Sequence, residues 1–214
     1  MIEKFNAFIE DLANTKVTPN VYNQYSYGSK ENSVRRNNLF IYLKQMYELK
    51  PNIILLAEAP GYRGSRVTGV PFTSEHLLMN NMEGLELFGK KNGYRLPIEN
   101  DKLLKEATAT IIWDSLIKCN IMALGWNAFP FHPHKKSNEM SNRTPLKKEL
   151  LMGQNHLLQI LEIFEIRKII AVGNKAEESL RLLGFNYQKV RHPAQGGKNQ
   201  FMEGIKSIRV DINK

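Results

Sequence analysis

Ile53-Ile54-Leu55-Leu56-Ala57 is an unbroken apolar run about as long as one strand. Runs of this kind form strands that are buried on both faces of a parallel sheet. In open α/β sheets, such strands present their carboxyl ends to the ligand. The polar sequence Glu58-Ala59-Pro60-Gly61 follows at once. We therefore expect functional side chains at this edge of the sheet.

The rest of the chain alternates helices with strands. Further strands are predicted at residues 120–124, 168–172 and 187–190. Apolar residues at helical spacing predict helices over residues 2–12, 39–47, 104–115, 150–163 and 175–183. Turn-forming residues predict irregular structure at 14–28 and 61–74, and a turn at 125–130. This order is typical of a three-layer α/β/α sandwich around a mainly parallel four-stranded sheet.

The composition indicates a globular protein with a polyanionic partner. The chain has 214 residues, of which 42% are hydrophobic and 24% charged, and no repeat or linker divides it. We therefore expect one domain over residues 1–214, with residues 1–50 packed on it as N-terminal helices and a loop. Thirty Lys and Arg residues against 21 Asp and Glu give a net charge of +9. This balance favours nucleic acid as the partner.

Signals for a membrane or for secretion are missing from the sequence. No apolar run approaches the length of a membrane span, no lipidation signal stands at either end, and residues 1–11 do not resemble a secretory signal. We expect a monomeric cytoplasmic protein without a membrane partner. Cys119 is the only cysteine, which excludes an internal disulfide framework and a four-cysteine cluster within one chain.

Polar motifs follow several of the predicted strands. In chain order they are Glu58-Ala59-Pro60-Gly61, Gly69-Val70-Pro71-Phe72-Thr73, Asn127-Ala128-Phe129-Pro130, His132-Pro133-His134, Ser137-Asn138, Asn142-Arg143-Thr144-Pro145, Ala171-Val172-Gly173, Arg191-His192-Pro193 and Gly196-Gly197. Taken together, they resemble the ordered motifs of the uracil-DNA glycosylase superfamily over about residues 55–201. The resemblance is greatest to bacterial proteins near families 4 and 5, without the cysteines of the members that carry an iron–sulfur cluster.

This resemblance implies a mixed α/β sandwich that hydrolyses the N-glycosidic bond of a flipped-out base, uracil or a related deaminated base, and so initiates base excision repair of DNA. No cofactor and no metal are expected. Four histidines, His132, His134, His156 and His192, leave a zinc site as an alternative, but their spacing does not favour it.

Two residues fit the recognition of an extruded base, which has to be stacked on a ring and read along its edge. Phe72 would supply the ring, and the alternative is a core phenylalanine under a loop. Asn127 presents a carbonyl acceptor beside an amide donor, which matches N3–H and O4 of uracil and opposes the pattern of cytosine. The alternative for Asn127 is a residue that only forms a turn.

The resemblance assigns catalysis to His192 and Glu58. His192 would donate a hydrogen bond to O2 of the leaving base, and Glu58 would position water or stabilise the charged sugar. Two departures lie at base-binding positions: Ala59 replaces an Asp or Asn that holds the water, and Gly61 replaces a tyrosine that excludes thymine. A third is Ala194-Gln195-Gly196, which replaces a segment with a leucine wedge.

DNA contacts are expected from residues near these loops. The side chains would bind phosphates on either side of the flipped nucleotide, and two glycines would offer backbone amides. The candidates are Arg63, Arg66, Lys135, Lys136, Arg143, Arg191, Gly196, Gly197 and Lys198. Two alternatives to uracil excision remain open. One is a nucleic-acid-binding protein with this fold and no activity, and the other is a glycosylase for hypoxanthine or xanthine.

Overall fold

The computed structural model describes residues 1–99 and 102–212, in which strands and helices alternate. The strands are β1 (Val21–Tyr22), β2 (Ile53–Ala57), β3 (Leu124–Asn127), β4 (His132–Pro133), β5 (Lys168–Val172) and β6 (Gln188–Val190). The α-helices are α1 (Ile2–Asn14), α2 (Lys30–Leu49), α3 (Ser65–Thr68), α4 (Glu75–Asn80), α5 (Ala107–Cys119), α6 (Lys147–Phe164), α7 (Gly173–Leu182) and α8 (Lys198–Ile212). A single 3₁₀ turn lies at Lys90–Asn92.

Four parallel strands form the central sheet, in the order β3-β2-β5-β6. Helices flank this sheet, so the predicted α/β sandwich is confirmed. Strand β2 lies inside the sheet, and its first four residues are buried, as its apolar sequence requires. Because every pair in the sheet is parallel, the carboxyl ends of all four strands meet at one edge. A separate antiparallel pair joins β1 to β4.

The N-terminal helices pack on the rest of the molecule through aromatic side chains. Helix α1 packs on α2 and α6, and its Phe8 ring lies 5.5 Å from that of Trp126 in β3, measured between centroids. Helix α8 packs on α5 and β6. No helix in the described part of the chain is long and apolar enough to cross a membrane.

Strand β3 begins four residues later than predicted. Helix α5 continues to Cys119, and Asn120 ends it in the left-handed conformation, with a φ of 51°. Gly125 was expected in a turn but lies within the strand. An added Cβ there would approach Cδ2 of Phe72 to 2.6 Å. Glycine therefore serves here to let an aromatic ring approach the sheet.

Three helices were not predicted, among them α4, which directly follows the segment 61–74. Helix α3 interrupts the segment 61–74, which the glycines and proline had indicated to be irregular throughout. Helix α8 follows the Gly196-Gly197 turn, and its Phe201, Ile205 and Ile208 are buried at helical spacing. That spacing is visible in the sequence, and it is the signal that could have identified α8.

Candidate functional site

A cavity of about 340 Å³ opens at the carboxyl edge of the central sheet. Residues on or directly after β2, β3 and β6 line it, together with the loop that follows β2 and the start of α5. Of the residues predicted from the sequence, six line this cavity: Ala59, Gly61, Arg63, Phe72, Asn127 and His192. The topology therefore brings together the loop after β2 and the loop after β6, which are far apart in the sequence.

Phe72 is fixed in the wall of the cavity by its backbone and by its ring. The indole Nε1 of Trp113 donates a hydrogen bond to the Phe72 carbonyl at 2.9 Å. The ring lies against the backbone of Gly125 in β3. Phe72 has a φ of 51°, which is uncommon for a bulky residue. Such strain persists where the surrounding structure enforces it, and it is frequent at ligand sites.

Asn127 places a free amide in the cavity. It is the last residue of β3, pairs in register with Ala57 of β2, and is only 5% exposed. Within residues 1–99 and 102–212, no group hydrogen-bonds its side chain. Buried amides normally have partners, so the Asn127 amide is available to a ligand. It lies in a strand, which removes the alternative of a turn-forming role.

His192 is held as a neutral hydrogen-bond donor. The backbone N–H of Ala194 donates to Nδ1 at 3.1 Å, so Nδ1 is the acceptor and Nε2 carries the proton. Burial lowers the pKa of His192, the Glu106 carboxylate partly opposes this, and Arg191 adds to it. Gly173 lies beneath the imidazole, where an added Cβ would approach the His192 Cβ to 2.7 Å.

Glu58 does not line the cavity, whereas its neighbours Ala57 and Ala59 do. Glu58 and Ala59 form a bend directly after β2, and of these two residues only Ala59 faces the cavity. Burial raises the pKa of Glu58, and nearby Lys175 and the Thr144 side chain oppose this rise. The Glu58 carbonyl accepts the Phe129 N–H at 3.0 Å.

Glu106 is a carboxylate in the cavity that the sequence reasoning missed. It is the N-cap of α5, where it accepts the backbone N–H groups of Thr108 at 3.0 Å and Ala109 at 2.8 Å. The helix had been predicted to begin at residue 104, which made Glu106 an interior residue. Ser, Thr, Asp and Asn are the usual caps, so a glutamate gave only a weak signal.

The seven predicted DNA-binding side chains fall into two groups: five are exposed, and two, Arg66 and Arg143, form ion pairs within the protein. Five are exposed on segments that border or adjoin the cavity: Arg63, Lys135, Lys136, Arg191 and Lys198. Gly196 and Gly197 form the turn before α8, and an added Cβ on Gly197 would collide with the His192 carbonyl. Arg66 is largely buried, over the Tyr22 ring, and pairs with Glu139 at 3.2 Å.

Arg143 makes contacts within the protein that occupy its guanidinium. Nη1 and Nη2 bind the two carboxylate oxygens of Glu149 at 2.7 and 2.8 Å, and Nε donates to the His134 carbonyl. Burial acts to raise the pKa of Glu149, but hydrogen bonds from Arg143, Thr18 and the Leu146 N–H outweigh it and lower the pKa. Arg143 does not line the cavity, and its contacts are those of a structural residue.

His132 joins the loop after β2 to the loop after β4. One ring nitrogen lies 2.8 Å from the Pro60 carbonyl and the other 3.0 Å from the Glu139 carbonyl. Burial lowers its pKa, and these carbonyls oppose the change. Both nitrogens face carbonyl oxygens, and a neutral ring can donate to only one of them at a time. No three His, Cys, Asp or Glu side chains in the described ranges are grouped to hold a metal ion.

Comparison with known proteins agrees with this architecture. The sequence model of the uracil DNA glycosylase superfamily matches residues 44–209. The chain is similar in structure to wild-type SMUG2 of Pedobacter heparinus, with a TM-score of 0.70 and 15% sequence identity, over 100% of this chain and 98% of that one. No curated protein matches the sequence. Because the matched residues make up most of the chain, this protein belongs to the uracil DNA glycosylase superfamily.

Proposed function

We propose that this protein is a DNA glycosylase that binds a flipped-out uracil in the cavity at the sheet edge and hydrolyses its N-glycosidic bond, the first step of base excision repair. One observation carries the proposal. The cavity combines a buried Asn127 amide that has no partner among the described residues, the Phe72 ring and a His192 imidazole that keeps its proton on Nε2. Family membership supports the same reaction class.

Asn127 would select the base. Its carbonyl oxygen accepts a hydrogen bond from N3–H of uracil, while its amide nitrogen donates to O4. Cytosine presents an acceptor at N3 and a donor at N4, so both contacts would become repulsive. A site built around buried polar groups discriminates strongly, because the wrong ligand leaves those groups unpaired. Phe72 would stack on the face of the base, as expected for an extruded nucleotide.

His192 would stabilise the leaving group. Negative charge develops on the base as the glycosidic bond breaks, and a fixed donor at O2 stabilises this charge more than it stabilises the bound substrate. The Ala194 N–H keeps the imidazole in the tautomer that can donate from Nε2. A neutral ring suffices for this role, which agrees with the lowered pKa of His192.

The exposed cations near the cavity would hold the DNA backbone. Arg63 lines the cavity itself, and Lys135, Lys136, Arg191 and Lys198 lie on adjoining segments. The backbone amide of Gly196 would bind a phosphate next to the flipped nucleotide. The Gly197 N–H instead donates to the Ala194 carbonyl at 3.1 Å, so the expected phosphate contact by Gly197 is not available. Gln195 is exposed at the tip of this turn, with a φ of 52°. Without a leucine wedge, we expect faster excision from single strands, where extruding a base costs less.

Single-turnover release of the base from single-stranded, U·G and U·A oligonucleotides tests the proposal. Wild type is compared with His192→Ala and Asn127→Ala, and the exposed Asn155→Ala is the matched control. We expect release by wild type and by Asn155→Ala, and a loss of about 100-fold or more in the two cavity variants. DNA binding without any release would instead indicate a binding protein with this fold.

A second candidate substrate is a deaminated purine. In the described structure, an added Cβ on Gly61 meets no atom within 4 Å, so that wall of the cavity is open. Hypoxanthine and xanthine are larger than uracil and need such room. The same assay on oligonucleotides that carry these bases separates the two candidates, because excision of a purine faster than of uracil would reverse the preferred substrate.

A further inference from the structure

We propose that Glu106 supplies the carboxylate that orients the attacking water and stabilises the positive charge on the sugar. This inference rests on the proposed function and names the group that acts on the sugar side of the site. Ala59 has no polar atom in its side chain, and the Glu58 carboxyl lies outside the cavity. Among the carboxylates of the described residues, Glu106 is the one that lines the cavity.

The start of α5 holds Glu106 in one orientation. Oε1 accepts the Thr108 N–H and Oε2 accepts the Ala109 N–H. Each carboxylate oxygen can accept a further hydrogen bond, so both can also bind a water in the cavity. Groups fixed in this way need no reorganisation when charge develops during the reaction.

The loop after β2 leaves room for this carboxylate. An ideal Cβ on Gly64 would lie 3.8 Å from the Glu106 Cγ and 4.0 Å from its Oε2. That Cβ would also lie 3.0 Å from the Thr73 carbonyl, which is tighter than ordinary contact. A Cβ at position 64 would therefore make ordinary contact with Glu106, and glycine there serves to avoid the Thr73 carbonyl. Larger side chains at position 64 would narrow the cavity.

Glu106 and His192 make the cavity electrostatically asymmetric. Both line it, and the carboxylate is close enough to His192 to oppose the lowering of its pKa. A base held by the His192 donor leaves as an anion, while the sugar becomes cationic. A donor for the base and a carboxylate for the sugar are the pair of groups that this charge separation requires.

The bond between C1′ and the base nitrogen breaks, and its electron pair leaves with the base, whose charge His192 stabilises. The water held by Glu106 forms the new C1′–O bond, and Glu106 accepts the proton that this water loses. The base anion then takes a proton from solvent and Glu106 releases its own proton to solvent, so that the carboxylate is regenerated and the products are a free base and an abasic sugar.

Glu106 also caps α5, so the test has to separate its charge from its capping role. Serine is a good N-cap without charge, and aspartate is a good N-cap with a carboxylate. We expect Glu106→Ser to keep the melting temperature and the affinity for uracil-containing DNA. Its single-turnover rate at saturating DNA should fall by about 100-fold or more, and Glu106→Asp should recover at least about tenfold of this loss. Glu3→Ser, at an exposed carboxylate in the first turn of α1, is the matched control.

Three outcomes would overturn the inference. A folded Glu106→Ser variant with a rate near that of wild type shows that the carboxylate is not needed. Equal rates of Glu106→Ser and Glu106→Asp show that its charge does not matter. A single-turnover rate that falls in Glu58→Gln but not in the Glu106 variants assigns the water to Glu58. In these three outcomes wild type still releases the base, so only the role of Glu106 fails. If wild type releases neither uracil nor a deaminated purine, the proposed function itself fails.

Discussion

We expect the buried Asn127 side chain to contribute to ligand binding and not to the stability of the fold. Because its amide has no partner in the described structure, we expect Asn127→Ala to change the free energy of unfolding by less than about 1 kcal/mol while it abolishes base release. Asn38→Ala is the matched comparison, because the buried Asn38 amide donates to the carbonyls of Thr68 and Arg95 at 3.0 and 2.8 Å. Removal of the Asn38 amide should lower the free energy of unfolding by about 2 kcal/mol or more.

Urea unfolding and single-turnover release, measured on both variants, check this prediction. A destabilisation of Asn127→Ala as large as that of Asn38→Ala would show that the Asn127 amide stabilises the fold, and would weaken its assignment to the base.

Protonation of His192 should set the acidic limb of the pH–rate profile. A proton on Nδ1 would face the Ala194 N–H that now donates to it. We therefore expect the rate to fall as pH drops through the lowered pKa of His192. The Arg191→Gln variant removes a neighbouring positive charge that contributes to this lowering. The pKa of His192 should then rise, and the acidic limb should move to higher pH.

Single-turnover rates of wild type and Arg191→Gln between about pH 5 and 8 measure this shift, which should shrink in high salt because Arg191 is exposed. Arg181→Gln, an exposed arginine in the last turn of α7, is the control and should leave the limb in place. A limb that stays at the same pH in Arg191→Gln, or moves to lower pH, would contradict the prediction.

The sequence reveals those site residues that lie at strand ends, since a strand end is visible as an apolar run followed by polar residues. Asn127 and His192 could be located in this way. Glu58 lies in a bend after β2, so the strand pattern does not determine the direction of its side chain. The place of Glu106 in the cavity could not be derived in this way either, because Glu106 precedes a helix and does not follow a strand.

Among the elements, the turn from β5 into α7 supports the loop that carries His192. Gly173 has a φ of 85° and lies against the His192 side chain. Gly184 has a similar φ of 76°, but an added Cβ there meets no described atom within 4 Å. We expect backbone strain to lower the free energy of unfolding by about 1 kcal/mol or more in both Gly173→Ala and Gly184→Ala. Only Gly173→Ala should also slow base release, because its methyl group displaces the imidazole.

Unfolding curves and single-turnover rates of the two variants separate strain from displacement. Equal rates in both variants would show that the His192 loop adjusts to the extra methyl group without loss of function.

Apart from α8, whose apolar spacing was missed, elements with strong local signals were predicted well, and those that depend on long-range packing were not. β2 and β5 are runs of apolar residues whose boundaries the sequence shows, and both are confirmed. β3 was displaced because Asn120 ends α5 in the left-handed conformation, and because Gly125 lies in a strand to accommodate the Phe72 ring. Helix α3 is a single turn between glycines, too short for apolar periodicity to appear.

The net charge of +9 is a property of the whole molecule and favours its binding to DNA. DNA affinity should fall steeply with salt, because each phosphate that the protein neutralises releases counterions. We expect Arg63→Gln to reduce the slope of log K against log salt by about 0.9 on duplex DNA and about 0.7 on single strands. Arg167→Gln is the matched control, since Arg167 is exposed beside the start of β5, at the opposite edge of the sheet.

Binding of a fluorescent oligonucleotide at several salt concentrations measures both slopes. Equal slopes for Arg63→Gln and wild type would exclude a phosphate contact by Arg63, and a reduced slope for Arg167→Gln would place the DNA on the other edge.

Gly61 has a consequence for how this protein can change. Its φ lies outside the left-handed region, and an added Cβ meets no described atom, so folding imposes no requirement for glycine at this position. Natural selection at position 61 can therefore act on recognition of the base without a constraint from folding. A library randomised at this codon would sample different base preferences at nearly constant stability, and each variant recovered would report the shape of the base that it accepts.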